Sequence, residues 1–536
     1  MRNFAMKTLA APAALAMIMS IAGTAAGAQD NAAAPAPTAR VAQGQLAGRD
    51  DGAVTAFLGV PYAAPPVGDN RWRAPQPAAS WSGVRAATDY GASCMQEVLP
   101  GGRAPWTAEY MVQGRISEDC LTLNVWTPSV NDGAKRPVLV WIHGGGFQEG
   151  SGSVPIYRGA SLAGRGIVVV SINYRLGLFG FLTHPELTRE AGSSPATNFA
   201  LQDQIAALRW VHDNIAALGG DPANVTIAGQ SAGSMAVHSL VASPLAKGLF
   251  VRAVAQSGLP SIARMKTLKE AEQNGVAFAR DKGAKSLADL RAMSTAQLAL
   301  PAGTVMGGKY GFGPVIDGKL LPASPGDMVR RGTFNDVPMM IGQTADEGSA
   351  FPGYGTGDLA AFNAFADKSF GAKRASFATF YPSGTDAERS ASAKEIARDR
   401  GMAMIADWSG VRLAKGKSPV WGYYYSHAEP GEGSDKFGAF HSSEIPYVFG
   451  TLDMAPDRGF TLADRELSLA MSSYWVNFVK TGNPNSPGLT AWAPLNGAKP
   501  NVIEFGTTIR ERPLLAPDRL AAYQAYVAAG GTLSMF

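Results

Sequence analysis

The chain has 536 residues, 46% of them hydrophobic, and carries 47 basic against 43 acidic side chains for a formal net charge of +4. That apolar content is ample for a large core. The near balance of charge, with no Lys/Arg run and no RNA-type aromatic motif, disfavours nucleic acid or any other polyanion as a partner.

Residues 1–28 combine Arg2 and Lys7, an apolar run from Leu9 to Ala22 and the small-residue site Ala26-Gly27-Ala28. This is the pattern of a signal peptide cleaved after Ala28, so the protein is expected in the periplasm or the medium. No other stretch holds about 18 uninterrupted apolar residues, and the mature form is expected to lack a membrane span. Residues 29–40, rich in alanine and proline, read as a disordered linker. From 41 to 536 no Pro/Gly/Ser-rich break divides the chain, which argues for a single domain.

Asp50-Asp51-Gly52, between two alternating apolar segments, predicts an N-terminal hairpin. Cys94 and Cys120 are the only two cysteines, and in an exported protein one such pair reads as a disulfide rather than a metal site. Strands are then expected at Val138–Ile142 and Ile167–Asn173, a long helix from about Asn198 to Leu218, a strand at Val225–Ala228, a helix after Ser231 and a strand at Ala253–Gln256. In the long helix Leu201, Ile205, Leu208, Val211 and Ile215 mark a core-facing stripe. The apolar strands lack polar alternation, so the fold class is α/β, with a mostly parallel sheet covered by helices. Residues 262–300 and 355–418, more helical and charged, are expected to form excursions over the carboxyl edge of the sheet.

The chemistry concentrates at two glycine-rich turns. Gly229-Gln230-Ser231-Ala232-Gly233, between a β-branched strand and a helix, has the form of a nucleophile elbow. In a chain with 62 glycines that pentapeptide alone carries little weight. About 85 residues earlier, His143-Gly144-Gly145-Gly146 follows a strand, and its unshielded N–H groups suit an oxyanion. A serine hydroxyl at neutral pH needs both an adjacent base and such donors.

These turns, together with Ser117–Val125, Asn173-Tyr174-Arg175, the block from Asp203 to Gly233, Thr344–Gly348 and His441–Gly450, resemble the type-B carboxylesterase/lipase family of α/β-hydrolases. The resemblance implies the α/β-hydrolase fold, serine esterase activity on a small-molecule ester and no metal or organic cofactor. It implies Ser231 as nucleophile, His441 as base and Glu347 as the acid, with Asp346 the competitor for that place. Gly145, Gly146 and Ala232 would form the oxyanion hole. It further implies a Cys94–Cys120 disulfide, ion pairs Arg71–Glu118 and Arg175–Asp203, and a Ser257–Glu444 contact near the histidine. Glu444 also admits a reading as a second acid. Gln230 and Tyr110 stand where cholinesterases carry glutamate and tryptophan, which favours neutral over cationic esters. By rough alignment Tyr310 and Phe312 are expected to line the acyl side of the pocket.

Overall fold

A computed structural model describes residues 36–259, 265–299, 308–496 and 500–534. The expected signal peptide and residues 29–35 of the expected linker lie outside them. Eleven strands form the main sheet: β1 (Arg49–Asp51), β2 (Val54–Pro61), β3 (Thr122–Thr127), β4 (Arg136–Ile142), β5 (Val168–Ile172), β6 (Gly220–Gln230), β7 (Arg252–Gln256), β8 (Met339–Thr344), β9 (Val420–Tyr425), β10 (Asn501–Phe505) and β11 (Ile509–Pro513). Their order is β11-β10-β9-β8-β7-β6-β4-β5-β3-β2-β1.

From β5 across to β10 every pairing is parallel, and the flanking pairs are antiparallel. β5, reading VVVSI, is buried at all positions, as a strand covered on both faces must be. The hairpin expected around Asp50–Gly52 is β1–β2. The predicted long helix is Phe199–Asn214, prolonged by a 3₁₀ turn to Leu218 and ended by Gly219 at φ 81°, a left-handed value that glycine adopts without Cβ strain.

One boundary differs from expectation. Thr38–Val41 is a strand paired antiparallel with Gly44–Ala47, although residues up to 40 were expected to be linker. The Pro-rich composition stops at Pro37, and Ala39 and Val41 alternate into the core.

β4 lies between β5 and β6 although it precedes both, so the connections from β4 and into β6 diverge at that point. Such a reversal opens a crevice beyond the carboxyl ends of the strands. The helices Leu268–Asp281 and Asp386–Lys415 occupy the two segments expected to be helical excursions. Among the described residues no helix is long and apolar enough to cross a membrane.

Candidate active site

At the end of β6 the chain turns sharply into the helix Ala232–Ala242, and Ser231 at the corner has φ 59°, ψ −124°. A non-glycine residue in that region costs about 1–3 kcal/mol, and the packing around it holds it there. A Cβ on Gly229 would lie 2.5 Å from the Gly233 backbone, and one on Gly233 would lie 2.0 Å from the Ile142 carbonyl oxygen. Both glycines are therefore demanded by the close approach of helix, β6 and β4, not by the turn alone.

His441 shares a pocket with Ser231. Its Nδ1 is hydrogen bonded to Glu347 Oε2, while Glu347 Oε1 accepts the Thr344 N–H at 2.8 Å. Glu347 thus closes its own loop at the end of β8 while holding the imidazole. Burial opposes a charge on His441, but the Glu347 carboxylate outweighs it by Coulombic attraction and hydrogen bonding, and the imidazole pKa lies above its ordinary value.

Asp346, the competing acid, turns elsewhere. It accepts from Arg398 Nη2 at 2.6 Å, Tyr354 Oη at 2.8 Å and the Ala439 N–H at 3.0 Å.

The other histidines have separate roles. His143 is buried, stacked on Tyr174 and kept neutral by burial, which lowers its pKa to about 4. His184 caps a helix, His212 is exposed beside Asp213, His238 packs against Trp408 and His427 pairs with Asp464.

The glycine loop after β4 sits against the elbow. A Cβ on Gly144 would lie 2.7 Å from the Gln230 carbonyl oxygen and 3.0 Å from Ser231 Cβ. Gly145 and Gly146 have φ 100° and 62°. The N–H groups of Gly145, Gly146 and Ala232 donate to no other described residue, and Ala232 is the first residue of its helix, where an N–H has no intrahelical partner. Three free donors therefore lie on the two segments that flank the serine.

Residues 35–520 match the sequence profile of the carboxylesterase family. The chain belongs to that family. This carboxylesterase is 35% identical over 471 residues to fumonisin B1 esterase of Sphingopyxis macrogoltabida, covering 86% of this chain and 84% of that one. It is 36% identical over 468 residues to para-nitrobenzyl esterase of Bacillus subtilis (83% and 89% covered). To phenmedipham hydrolase of Pseudarthrobacter oxydans it is 35% identical over 508 residues (90% and 98%). It is a carboxylic ester hydrolase of the α/β-hydrolase fold.

The pocket of this carboxylesterase spans about 980 Å³ of space, open solvent included, and Tyr110 and Gln230 are among its lining residues. Gln230 Nε2 lies 3.3 Å from His441 Nε2, and the Tyr110 hydroxyl donates to buried Glu429 at 2.6 Å. Tyr310 and Phe312 do not line it. They stack on each other and pack edge-on against Phe278 of the helix Leu268–Asp281, where the Tyr310 hydroxyl bonds Asp281. The two rings are thus spent on each other and on that helix.

The Ser257–Glu444 contact is also absent. Ser257 Oγ has no partner among the described residues, and it is the longer Gln256 amide at the end of β7 that reaches Glu444, at 3.1 Å. Burial and the nearby Glu347 raise the Glu444 carboxyl to about 7.

Both ion pairs are present. Arg71 grips Glu118, and Arg175 meets Asp203 with two parallel bonds of 2.8 and 2.6 Å. Among the described residues no group of three or more His, Cys, Asp or Glu side chains is arranged to hold a metal ion.

Cys94 and Cys120 form a disulfide, and the segment between them supplies Gln96, Arg103, Trp106, Tyr110 and Val112 to the pocket wall. The sequence reading missed Trp106 and Phe351 in that lining, and no local pattern marks them: the text between the cysteines holds only Trp106 and Tyr110 as aromatics, and Phe351 lies far outside it. Replacing both cysteines by serine is expected to lower stability by about 3 kcal/mol and to raise KM, because the wall loses its covalent closure. Urea unfolding and Michaelis kinetics of the double variant check both.

Proposed function

We propose that this carboxylesterase hydrolyses neutral carboxylic esters through an acyl-enzyme on Ser231, with His441 as general base and acid and Glu347 as its orienting acid. The observation that carries this reading is one pocket holding Ser231 and a Glu347-bound His441 beside three unpartnered N–H groups. His441 Nε2 takes the Ser231 proton as Oγ attacks the ester carbonyl. Glu347 fixes the Nδ1–H tautomer and stabilises the imidazolium that forms. The oxyanion rests on the N–H groups of Gly145, Gly146 and Ala232. The alcohol leaves with the proton from His441, and water repeats the sequence on the acyl-enzyme.

Neutral substrates are supported by the lining. Gln230 rather than a carboxylate precedes the nucleophile, and the Arg103 and Glu149 charges offset each other across 2.9 Å. The remaining charge, Glu97, is exposed to screening water. Export after cleavage near Ala28 is supported by the leader pattern of the sequence and by the disulfide.

The test is a panel that varies acyl and alcohol groups independently, run on the wild type and on Ser231→Ala. Turnover of uncharged esters confined to the wild type is expected. Equal turnover by the variant, or preference for quaternary ammonium esters, would sink the reading.

The base must be neutral to act, so kcat/KM falls as pH drops through the His441 pKa. Because that pKa is raised, the acid limb is expected above the 6.5 of an ordinary imidazole. Glu347→Gln removes the attraction responsible and should move the limb to lower pH; a pH–rate profile of both proteins decides.

A further inference from the structure

The disulfide-bounded segment reaches the histidine through one side chain. Gly102–Arg103 and Trp106–Thr107 pair as a two-stranded hairpin, and the Trp106 indole Nε1 donates to the main-chain carbonyl of His441 at 2.9 Å. That carbonyl belongs to the peptide joining His441 to Ser442, and Ser442 has φ 84°. A serine in this left-handed region is strained and needs its surroundings to hold it. The indole N–H fixes the peptide plane next to the strained torsion, and so the direction from which the imidazole leaves the backbone.

The indole is itself held. Its ring lines the pocket, meets Phe351 edge-on at 6.4 Å and lies beneath the Arg103 guanidinium. Behind it the loop is anchored by Arg458, which donates to Glu109 and to the Pro105 carbonyl, each at 2.8 Å, and to Thr107 Oγ1 at 2.7 Å. Arg458 also pairs with buried Glu429, the acceptor of the Tyr110 hydroxyl. The donor facing His441 is thus mounted on a rigid support rather than on a free loop.

We propose that Trp106 is a positioning residue for His441: its indole N–H sets the backbone from which the imidazole addresses Ser231 and Glu347. The proposal rests on the reading of His441 as the base. Trp106 touches the reacting atoms only through the histidine, so its loss lowers the rate at which bound ester reacts more than it weakens binding of a small ester. The charged groups facing His441 are Glu347 and Glu444. A looser backbone weakens the Glu347 contact that raises the imidazole pKa, and the acid limb moves down with it.

The test compares Trp106→Phe, a variant carrying benzothienylalanine at 106, and His441→Gln with the full-length wild type. The benzothienyl side chain keeps the shape of the indole and deletes only the donor, so it answers the question even where phenylalanine impairs folding. Active sites are counted with a fluorophosphonate, and kcat, KM and the pH profile are measured on p-nitrophenyl acetate. Expected for both 106 variants are a kcat per labelled site about tenfold lower, KM within about twofold and an acid limb at lower pH. An unchanged kcat per site and an unchanged limb, with only thermal stability reduced, would overturn the proposal and leave Trp106 a wall residue. Full activity in His441→Gln would instead overturn the assignment of the base, whatever the 106 variants do.

Discussion

Ser231→Ala is expected to lower kcat by about 10⁵- to 10⁶-fold. The loss is that large because no other hydroxyl stands at the corner between β6 and its helix, and because in the proposed mechanism serine, histidine and carboxylate act as one unit. What remains is the electrostatic help of the glycine loop toward attack by water. The fold should tolerate the change, since alanine adds no atom to a site already shaped for a Cβ. Ser231→Gly should go further and raise stability while equally inactive, because glycine relieves the strained φ of 59° at this residue. Turnover and denaturant midpoints on the three proteins check this. An alanine variant that keeps more than about a hundredth of wild-type kcat would remove Ser231 from the reaction.

Arg175→Ala is expected to cost about 3–5 kcal/mol of folding stability. Asp203 is fully buried, and the Arg175 side chain is 3% exposed. The guanidinium gives Asp203 two side-chain bonds, the Arg175 backbone N–H gives a third at 3.1 Å, and Nη1 reaches the Arg73 carbonyl. Deleting the cation strands a carboxylate where water cannot reach it. Replacing both partners by apolar residues, as in Arg175→Met with Asp203→Leu, should cost less than the single change, because no bare charge remains. Urea unfolding of the single and double variants provides the comparison. A single variant within about 1 kcal/mol of wild type would show that the pair contributes little.

Much of the site is legible in the sequence because its constraints are local. The elbow needs Gly229 and Gly233 at fixed offsets from Ser231, since backbone atoms of β4 and the helix occupy the space of any Cβ. The glycine loop is equally local, and the strand-helix rhythm places both turns at one end of the sheet. The choice between Asp346 and Glu347 is not local: adjacent carboxylates on one turn point apart, one to Arg398 and Tyr354, the other to His441. Pocket lining is less legible still. Tyr310 and Phe312 have the right chemistry for a substrate wall, but they stack on each other and pack against Phe278. Trp106 reaches His441 across 335 positions of sequence, a separation that no motif spans. Ser257 and Gln256 differ by one position, yet it is Gln256 at the strand end that hydrogen-bonds Glu444, while Ser257, with φ 51°, leaves its hydroxyl without a partner among the described residues.

The wall between Cys94 and Cys120 is closed on itself at its base, with its own hairpin inside and Arg458 as its outer clasp. It is therefore a cassette. Exchanging residues 95–119 as a block between related esterases would carry one wall of the pocket from one enzyme to another, along with its bonds to Glu149, Gly150 and His441. The ring that shapes the pocket also carries the donor that meets His441, so such an exchange is expected to change the rate of the reaction together with its substrate range.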